Sequence, residues 1–509
     1  MKQILRATVV LGSSSVVSVL VGVISAKAWA IMVGPSGLGL LGLLQGLVGL
    51  AGLVAGLGVG AGLVRAGASA LARSEHRQLA ALRKAAWLLL WLAGSLAVLI
   101  LLVFRVPISE LILGGAQYAT SVVLMGLALL FTLATGIQIS ILNAYHRVSA
   151  LAKVGILKSV LASGASLLCV WWWGEQGIAP AIIATSITGW AVTRYFLERE
   201  VEHAPVHLSY EEVSAAARSL LRFGAPYTAS MLVWTVVQLA IPALVLHALG
   251  KESVGFYQAA MVIAINYPSF LLAAMVHDYY PRLSAVSDQP VVLAQLVNQQ
   301  NRLVLVLTAP LILVLLALAP YLIPLAYSHE FYPAVALLEW HLVGDLFKFT
   351  SWTMGYVILA RSNSWMYFRA ELISGAAYML TTWAGIRWFG LSGLGIGFMI
   401  SCVIYYLVVW IHMRREINLV WTTQNRKMML GTLLAIMLIQ ALPFMGQESF
   451  RTPVALSCAL LACLGSLYAL WRDARGVESA QALPKTLLRP ISNLINRKPT
   501  GDQHGPAQN

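Results

Sequence analysis

About twenty consecutive apolar residues make a helix long enough to cross the ~30 Å hydrocarbon core of a bilayer, and this chain contains fourteen such stretches. They lie at 7–33, 39–64, 85–104, 118–143, 151–173, 177–197, 224–249, 254–280, 302–327, 333–360, 364–387, 391–412, 427–445 and 452–471. Hydrocarbon offers no partner to a peptide N–H or C=O, so segments like these must satisfy their own backbone as helices. Only 11% of the 509 residues are charged and 59% are hydrophobic, against about a quarter charged in soluble domains. The chain reads as an all-α polytopic membrane protein.

The first stretch carries a cation, Lys27, ahead of Gly34-Pro35-Ser36-Gly37. Ala26-Lys27-Ala28 and Ala28-Trp29-Ala30 have the form of leader-cleavage sites. A leader followed by a secreted domain is excluded, because apolar spans continue to residue 471. Two readings stay open: a retained first helix, or a cleaved leader ahead of a membrane domain.

Basic residues orient the spans. With a cytoplasmic N-terminus, 26 of the 34 Lys and Arg residues fall in cytoplasmic segments, and only Arg105, Lys251, Arg387 and Arg451 fall outside. Lys27, Lys158, Lys348 and Arg369 lie within spans. That asymmetry follows the positive-inside rule and places both termini in the cytoplasm. The net charge of +14 therefore reports orientation, and a nucleic-acid partner is excluded because no soluble domain could carry a basic groove. Cys169, Cys402, Cys458 and Cys463 all fall in helix interiors, which implies no disulfide framework.

A shift of 216 residues superimposes several landmarks. Leu5-Arg6 falls on Leu221-Arg222, Gly34 on Gly250, Gly39 on Gly255, and Leu130-Phe131 on Leu346-Phe347. Trp172, Gly174 and Gly177 fall on Trp388, Gly390 and Gly393. One ungapped offset serving four regions predicts two parallel six-helix bundles, at 1–200 and 224–415, about a central cavity and an axis along the membrane normal. Two additional helices at 416–471 and a disordered cytoplasmic tail at 472–509 complete the expected organisation. In the linker at 201–223, Ser209 and Glu212 have capping-box spacing ahead of Val213, Ala216, Leu220 and Leu221. This predicts a short amphipathic helix on the cytoplasmic surface; a plain tether is the alternative.

The residues "GPSGLGLLGLLQ" after the first span, "ILNAYHR" at the end of the fourth and "YYPRLS" closing the eighth resemble one group. They are similar to Wzx-type polysaccharide flippases of the multidrug/oligosaccharidyl-lipid/polysaccharide exporter superfamily, over roughly residues 1–415. The resemblance implies movement of an undecaprenyl-diphosphate-linked oligosaccharide across the bacterial inner membrane by alternating access, for O-antigen, exopolysaccharide or related synthesis. Implied partners are that lipid-linked substrate, membrane lipids, and polysaccharide polymerase and chain-length machinery. The two extra spans resemble the lipid II flippase branch instead.

A doubly anionic head crossing hydrocarbon needs a polar, cationic cavity, and intramembrane ionisable residues mark where one lies. His341, Asp345, Lys348, Trp352 and Tyr356 follow at spacings of four, three, four and four residues, one face of a helix. Tyr367, Glu371, Ser374 and Tyr378 form a similar face on the next span. Lys348, His341, Trp352, Tyr356 and Tyr378 are substrate-binding candidates, and Asp345 and Glu371 are candidates for proton or sodium coupling. An Asp345–Lys348 pair that neutralises itself is the alternative.

Lys27 lies opposite Ser15, Ser18, Gly22 and Ser25. That small-residue stripe reads as a close helix contact, like the glycine ridge of the second span. Lys27 then faces either the cavity, contacting diphosphate, or the lipid, snorkelling to the surface. Pro242 and Pro268 are expected to kink spans seven and eight.

Other chemistries fit less well. No Walker A sequence, zinc-ligand cluster or Gly-x-Ser-x-Gly elbow occurs, so no cofactor, metal or catalytic residue is expected. A glycosyltransferase, polymerase or ligase normally needs large outside loops, and the longest outside connection here, 105–117, holds only Arg105 and Glu110. A drug exporter of the same superfamily is the nearer rival. The topology is testable with reporters. A green fluorescent protein fused after residue 471 should fluoresce, and an alkaline phosphatase inserted within 105–117 should be active. The reverse pattern would invert the orientation.

Overall fold

The computed structural model describes residues 2–201, 207–361, 364–442 and 448–480. They form α1 (Lys2–Gly56), α2 (Val59–Ala72), α3 (His76–Val103), α4 (Arg105–Leu113), α5 (Ala119–Ala144), α6 (Val148–Trp173) and α7 (Ile178–Glu200). Then come α8 (Tyr210–Leu249), α9 (Lys251–Ala285), α10 (Pro290–Ala326), α11 (Ala334–Ala360), α12 (Ser364–Phe389) and α13 (Ser392–Glu416), followed by α14 (Thr423–Ala441) and α15 (Glu448–Ala480). No strand occurs among the described residues.

Each apolar stretch is mainly helical over its described residues, and a turn at Leu57–Gly58 divides the second between α1 and α2. Among the described residues eight continuous runs are long and apolar enough to cross a membrane; Val148–Glu200 holds two expected spans, and Val17–Gly56 holds parts of the first two. The spans forming α9, α11, α12 and α14 fall short of that measure. α11 and α12 are diluted by Asp345, Lys348, Arg369 and Glu371. α15 continues to Ala480, past the expected start of the tail; residues 481–509 lie outside the described residues.

The glycines at the expected turns adopt left-handed φ that a side chain would disfavour. Gly34 (φ 63°, ψ −170°) splits α1 into two limbs, and Gly250 (φ 86°, ψ 176°) separates α8 from α9 in the same conformation. Gly174 and Gly390, 216 residues apart, have φ of 56° and 58°. Adding 216 to the bounds of α6 gives 364–389, the bounds of α12. α7 packs against α5 and α6 as α13 packs against α11 and α12.

The sharpest correspondence lies between the halves. A Cβ on Gly39 would meet the Lys251 carbonyl oxygen at 2.5 Å, and one on Gly255 would collide with the Pro35 carbonyl. Lys251 is Pro35 plus 216, and Gly255 is Gly39 plus 216. The two contacts are therefore one contact made twice, as a twofold axis requires of a self-complementary interface. Gly58 and Gly224 make a second backbone approach further along the chain.

Ser209 caps α8 as the sequence pattern requires. Its side chain accepts from the Glu212 amide at 3.2 Å, and its own amide donates to Glu212 Oε2 at 2.8 Å. Glu212 also pairs with Arg77 Nε at 2.5 Å. The hydrogen bond from Arg77, then the one from the Ser209 amide, hold this carboxyl below its ordinary range, so the cap is strongest above that range and weakens as pH falls through the lowered value.

One expectation changes here. The linker helix is not a separate surface element but the start of the continuous α8. Val213, Ala216 and Leu220 bury themselves against Leu63, Leu79 and Leu82 of α2 and α3 rather than facing lipid, because protein packing covers that apolar face more completely than an interface would. Pro242 and Pro268 lie inside α8 and α9 respectively. Residues 202–206 of the linker lie outside the described residues.

Polar contacts help tie α14 and α15 to the second half. Arg451 of α15 pairs with Glu339 of α11 at 2.5 Å. Asn298 of α10 accepts from the Thr422 amide at 2.9 Å, and Asn425 donates to the Asn298 carbonyl at 3.0 Å.

The reciprocal glycine contact yields a stability prediction. Gly39→Ala and Gly255→Ala should each destabilise the purified protein by about 1–3 kcal/mol through overpacking. Gly49→Ala, whose Cβ would meet nothing within 4 Å, should not. Thermal unfolding of the three variants decides it; equal midpoints would remove the contact.

Candidate functional site

Polar side chains gather in two places. The first is on α11, where the sequence placed its candidates. Asp345 is fully buried; its Oδ2 accepts from Tyr267 of α9 at 2.7 Å and lies 3.5 Å from His341 Nδ1. Lys348 Nζ stands 3.8 Å from Asp345 Oδ1, with its side chain 19% exposed. A buried carboxylate is tolerable only with such partners. The His341 ring stacks on Phe398 at 3.5 Å. Gly344 permits this approach, since a Cβ there would meet the Phe398 ring at 2.7 Å. Lys348 lies 5.3 Å from the rings of both Trp352 and Phe398, a cation–π cradle. Tyr378 joins through Phe398 at 5.4 Å and through a 3.4 Å hydroxyl contact with Tyr257 of α9.

The rest of the stripe separates from this group. Tyr356 packs on Tyr279 and Tyr280 at 6.2 and 6.3 Å. Glu371 accepts from Tyr405 at 3.4 Å. Lys27 is elsewhere again: it is exposed and donates to the Leu325 carbonyl of α10 at 3.0 Å. That oxygen is one of the last four of its helix, which lack intrahelical partners, and a cation there complements the helix dipole. Lys27 is thus an interhelical cap.

The second place is a cavity of about 550 Å³ between both limbs of α1, α6, α7 and α9. Ser18, Gly22 and Ser25 form one wall, where a tight helix contact was expected. Ser18 does reach the Gly155 carbonyl of α6 at 3.4 Å. A Cβ on Gly22 or Gly155, however, would meet nothing within 4 Å. Small side chains open space here rather than close it, and Lys27, on the opposite face of α1, points away. Lys158, Ser163, Gln45 and Gln258 line the remainder. No carboxylate is among the lining residues. The missed signal was Lys158 itself, a cation within a span, on the same helix as Gly155, Ser159, Ser163 and Ser166. Among the described residues no group of three or more His, Cys, Asp or Glu side chains could hold a metal.

With this geometry in view, comparisons place the chain. A family model described as "Polysaccharide biosynthesis protein" matches residues 9–336, and the chain belongs to that family. Among characterised proteins it is similar to the Lipid III flippases of Escherichia coli (strain K12) and Shigella flexneri. Each is 23% identical over 412 residues, 79% of this chain and 96% of the relative. Its fold matches the solved structure "Lipid II flippase MurJ, inward closed conformation" with a TM-score of 0.68 at 15% identity, covering 92% of this chain and 99% of that one. An inward-facing multidrug resistance MATE family transporter of the MOP superfamily matches with a TM-score of 0.66 at 16% identity, covering 79% and 94%.

The α11 cluster makes a coupled prediction. Asp345→Ala strands Lys348 and the Tyr267 hydroxyl, and should destabilise the protein by about 3–5 kcal/mol. Adding Lys348→Ala should restore part of that loss, as a double-mutant cycle on thermal or denaturant unfolding would report. Additive losses would show that the two side chains do not interact.

Proposed function

We propose that this protein is a flippase carrying an undecaprenyl-diphosphate-linked oligosaccharide from the cytoplasmic to the outer leaflet of the bacterial inner membrane, for surface polysaccharide synthesis. It is a transporter rather than an enzyme, working by alternating access between two six-helix lobes at 1–200 and 224–415. Both termini lie in the cytoplasm, and polysaccharide polymerase and chain-length machinery receive the product. The observation that carries this reading is a cavity with Lys158 on its wall and no carboxylate among its lining residues, within a chain of the polysaccharide biosynthesis family. A drug exporter of the same superfamily typically takes cations, which a lysine-bearing wall repels.

In this proposal Lys348, His341, Trp352, Tyr356 and Tyr378 contact the substrate. Asp345 and Glu371 take and release a proton or sodium ion, and Lys27 caps α10. Purified protein in proteoliposomes should flip a fluorescent lipid-linked oligosaccharide and leave ethidium untouched. Asp345→Asn should remove any dependence of the rate on a proton or sodium gradient, and Lys348→Ala should slow flipping roughly tenfold or more, the scale of one lost charge-assisted hydrogen bond. Ethidium transport without lipid flipping would transfer the protein to the exporter class.

A further inference from the structure

The cations within the helices differ in how far they are neutralised. Lys348 stands 3.8 Å from Asp345, and Arg451 is paired with Glu339 at 2.5 Å. Lys158 has no such partner. No hydrogen bond or ion pair to a described residue is seen for its ammonium, which lines a cavity without a carboxylate. Its stem lies along Gly189 of α7, where a Cβ would come within 3.1 Å of Cε. The residue sits ten positions into α6, about 15 Å from the start of that helix and well inside the bilayer's thickness. An unpaired charge at that depth is costly and marks a ligand path.

Other groups around it are also unspent. Gln45, Gln258, Ser25 and Ser163 line the same cavity and have no side-chain partner among the described residues. Trp29, whose indole donates to Ser166 Oγ at 3.4 Å, and Tyr327, whose hydroxyl donates to the Ala259 carbonyl at 3.3 Å, supply flat apolar faces. One cation, several amides and hydroxyls, and two aromatic faces are the complement of a phosphorylated sugar. The volume, about 550 Å³, lies within the span of about 300–1,000 Å³ common to small-ligand sites and leaves no room for a long oligosaccharide with its lipid.

The geometry points to a subsite in the first half of the molecule, separate from the α11 cluster, in which Lys158 holds the phosphate and Gln45, Gln258 and Ser163 hold the adjoining sugar of the lipid-linked substrate. This rests on the flippase reading and adds to it where the charged end of the substrate docks. Gln258 and its neighbour Tyr257 also join the two sites. The first lines this cavity, while the second contacts Tyr378 of the α11 group at 3.4 Å.

The test is direct binding to the full-length, detergent-purified protein. Three probes are compared: a short-chain polyprenyl diphosphate carrying one N-acetylhexosamine, hexose 1-phosphate, and inorganic pyrophosphate. Lys158→Ala should weaken the lipid-linked probe by roughly tenfold or more with an unchanged melting temperature, and Lys158→Arg should retain most of the affinity. Equal affinity for wild type and Lys158→Ala overturns the subsite. So does Lys158-dependent binding of pyrophosphate or hexose phosphate without the lipid-linked probe, since that would make the cavity a site for free anions. A second measurement covers a variant that fails to fold. In a background lacking the native cysteines, Ser163→Cys should react faster with an anionic than with a cationic methanethiosulfonate, and protonated Lys158 should be the cause, shown by loss of the preference in Lys158→Gln. No charge preference overturns the proposal. Neither measurement requires transport. Binding that depends on Lys158 in a protein that does not flip lipid would leave the subsite standing and remove the flippase reading.

Discussion

Two peptide carbonyls, those of Pro35 and Lys251, occupy the space where Gly255 and Gly39 would carry a Cβ. Within a membrane the association of helices gains little from the hydrophobic effect and depends on close approach of backbones. This doubled contact leaves no room for a side chain at either glycine, and each of its two parts is the symmetry image of the other. It sets the first limb pair of α1 against the α8–α9 turn, and so determines how the polar faces of the two halves lie with respect to one another. A larger residue at either glycine would separate the halves at the point where everything else is aligned from.

Charge supplies the second level of organisation. Ionisable side chains within the helices belong to sites of different kinds. The Asp345 carboxylate, with Tyr267, His341 and Lys348 around it, is a closed network in which each member offsets the burial of another. Glu339 with Arg451 binds the additional helices α14 and α15 to the second half. Lys27 turns its charge toward a helix end. Lys158 alone of these stands on a cavity wall without a counter-charge, and in a low-dielectric setting such a charge attracts an anion far more strongly than it would in water. The molecule thus separates a polar group that neutralises itself from a cation left without a counter-charge. Both groups border α9, through Tyr257 and Gln258.

Much of this was legible from residues alone. Apolar length located a helix at every expected span, because a membrane leaves the backbone no other solution. The 216-residue offset located the paired turns, because left-handed φ at Gly34, Gly250, Gly174 and Gly390 is a local demand that a single residue type answers. Ser209 and Glu212 marked the first turn of α8 for the same reason: a cap is made by neighbours in sequence. Helical spacing also brought His341, Asp345, Lys348 and Trp352 onto one face, which is a property of one helix.

Tertiary structure decided whatever depended on a second helix. Ser18, Gly22 and Ser25 have the pattern of a packing seam, and only the position of α6 made them a cavity wall. Lys27 could by pattern face a cavity or the lipid, and only the end of α10 made it a cap. Tyr356 and Glu371 share helical stripes with the α11 group, yet neighbouring helices drew them to Tyr279 and Tyr405 instead. The amphipathic start of α8 was visible in sequence, but whether lipid or α2 and α3 would cover it was not. Periodicity states which residues share a face of one helix; which surface that face meets is set by the packing of helices distant in sequence, and no local pattern encodes it.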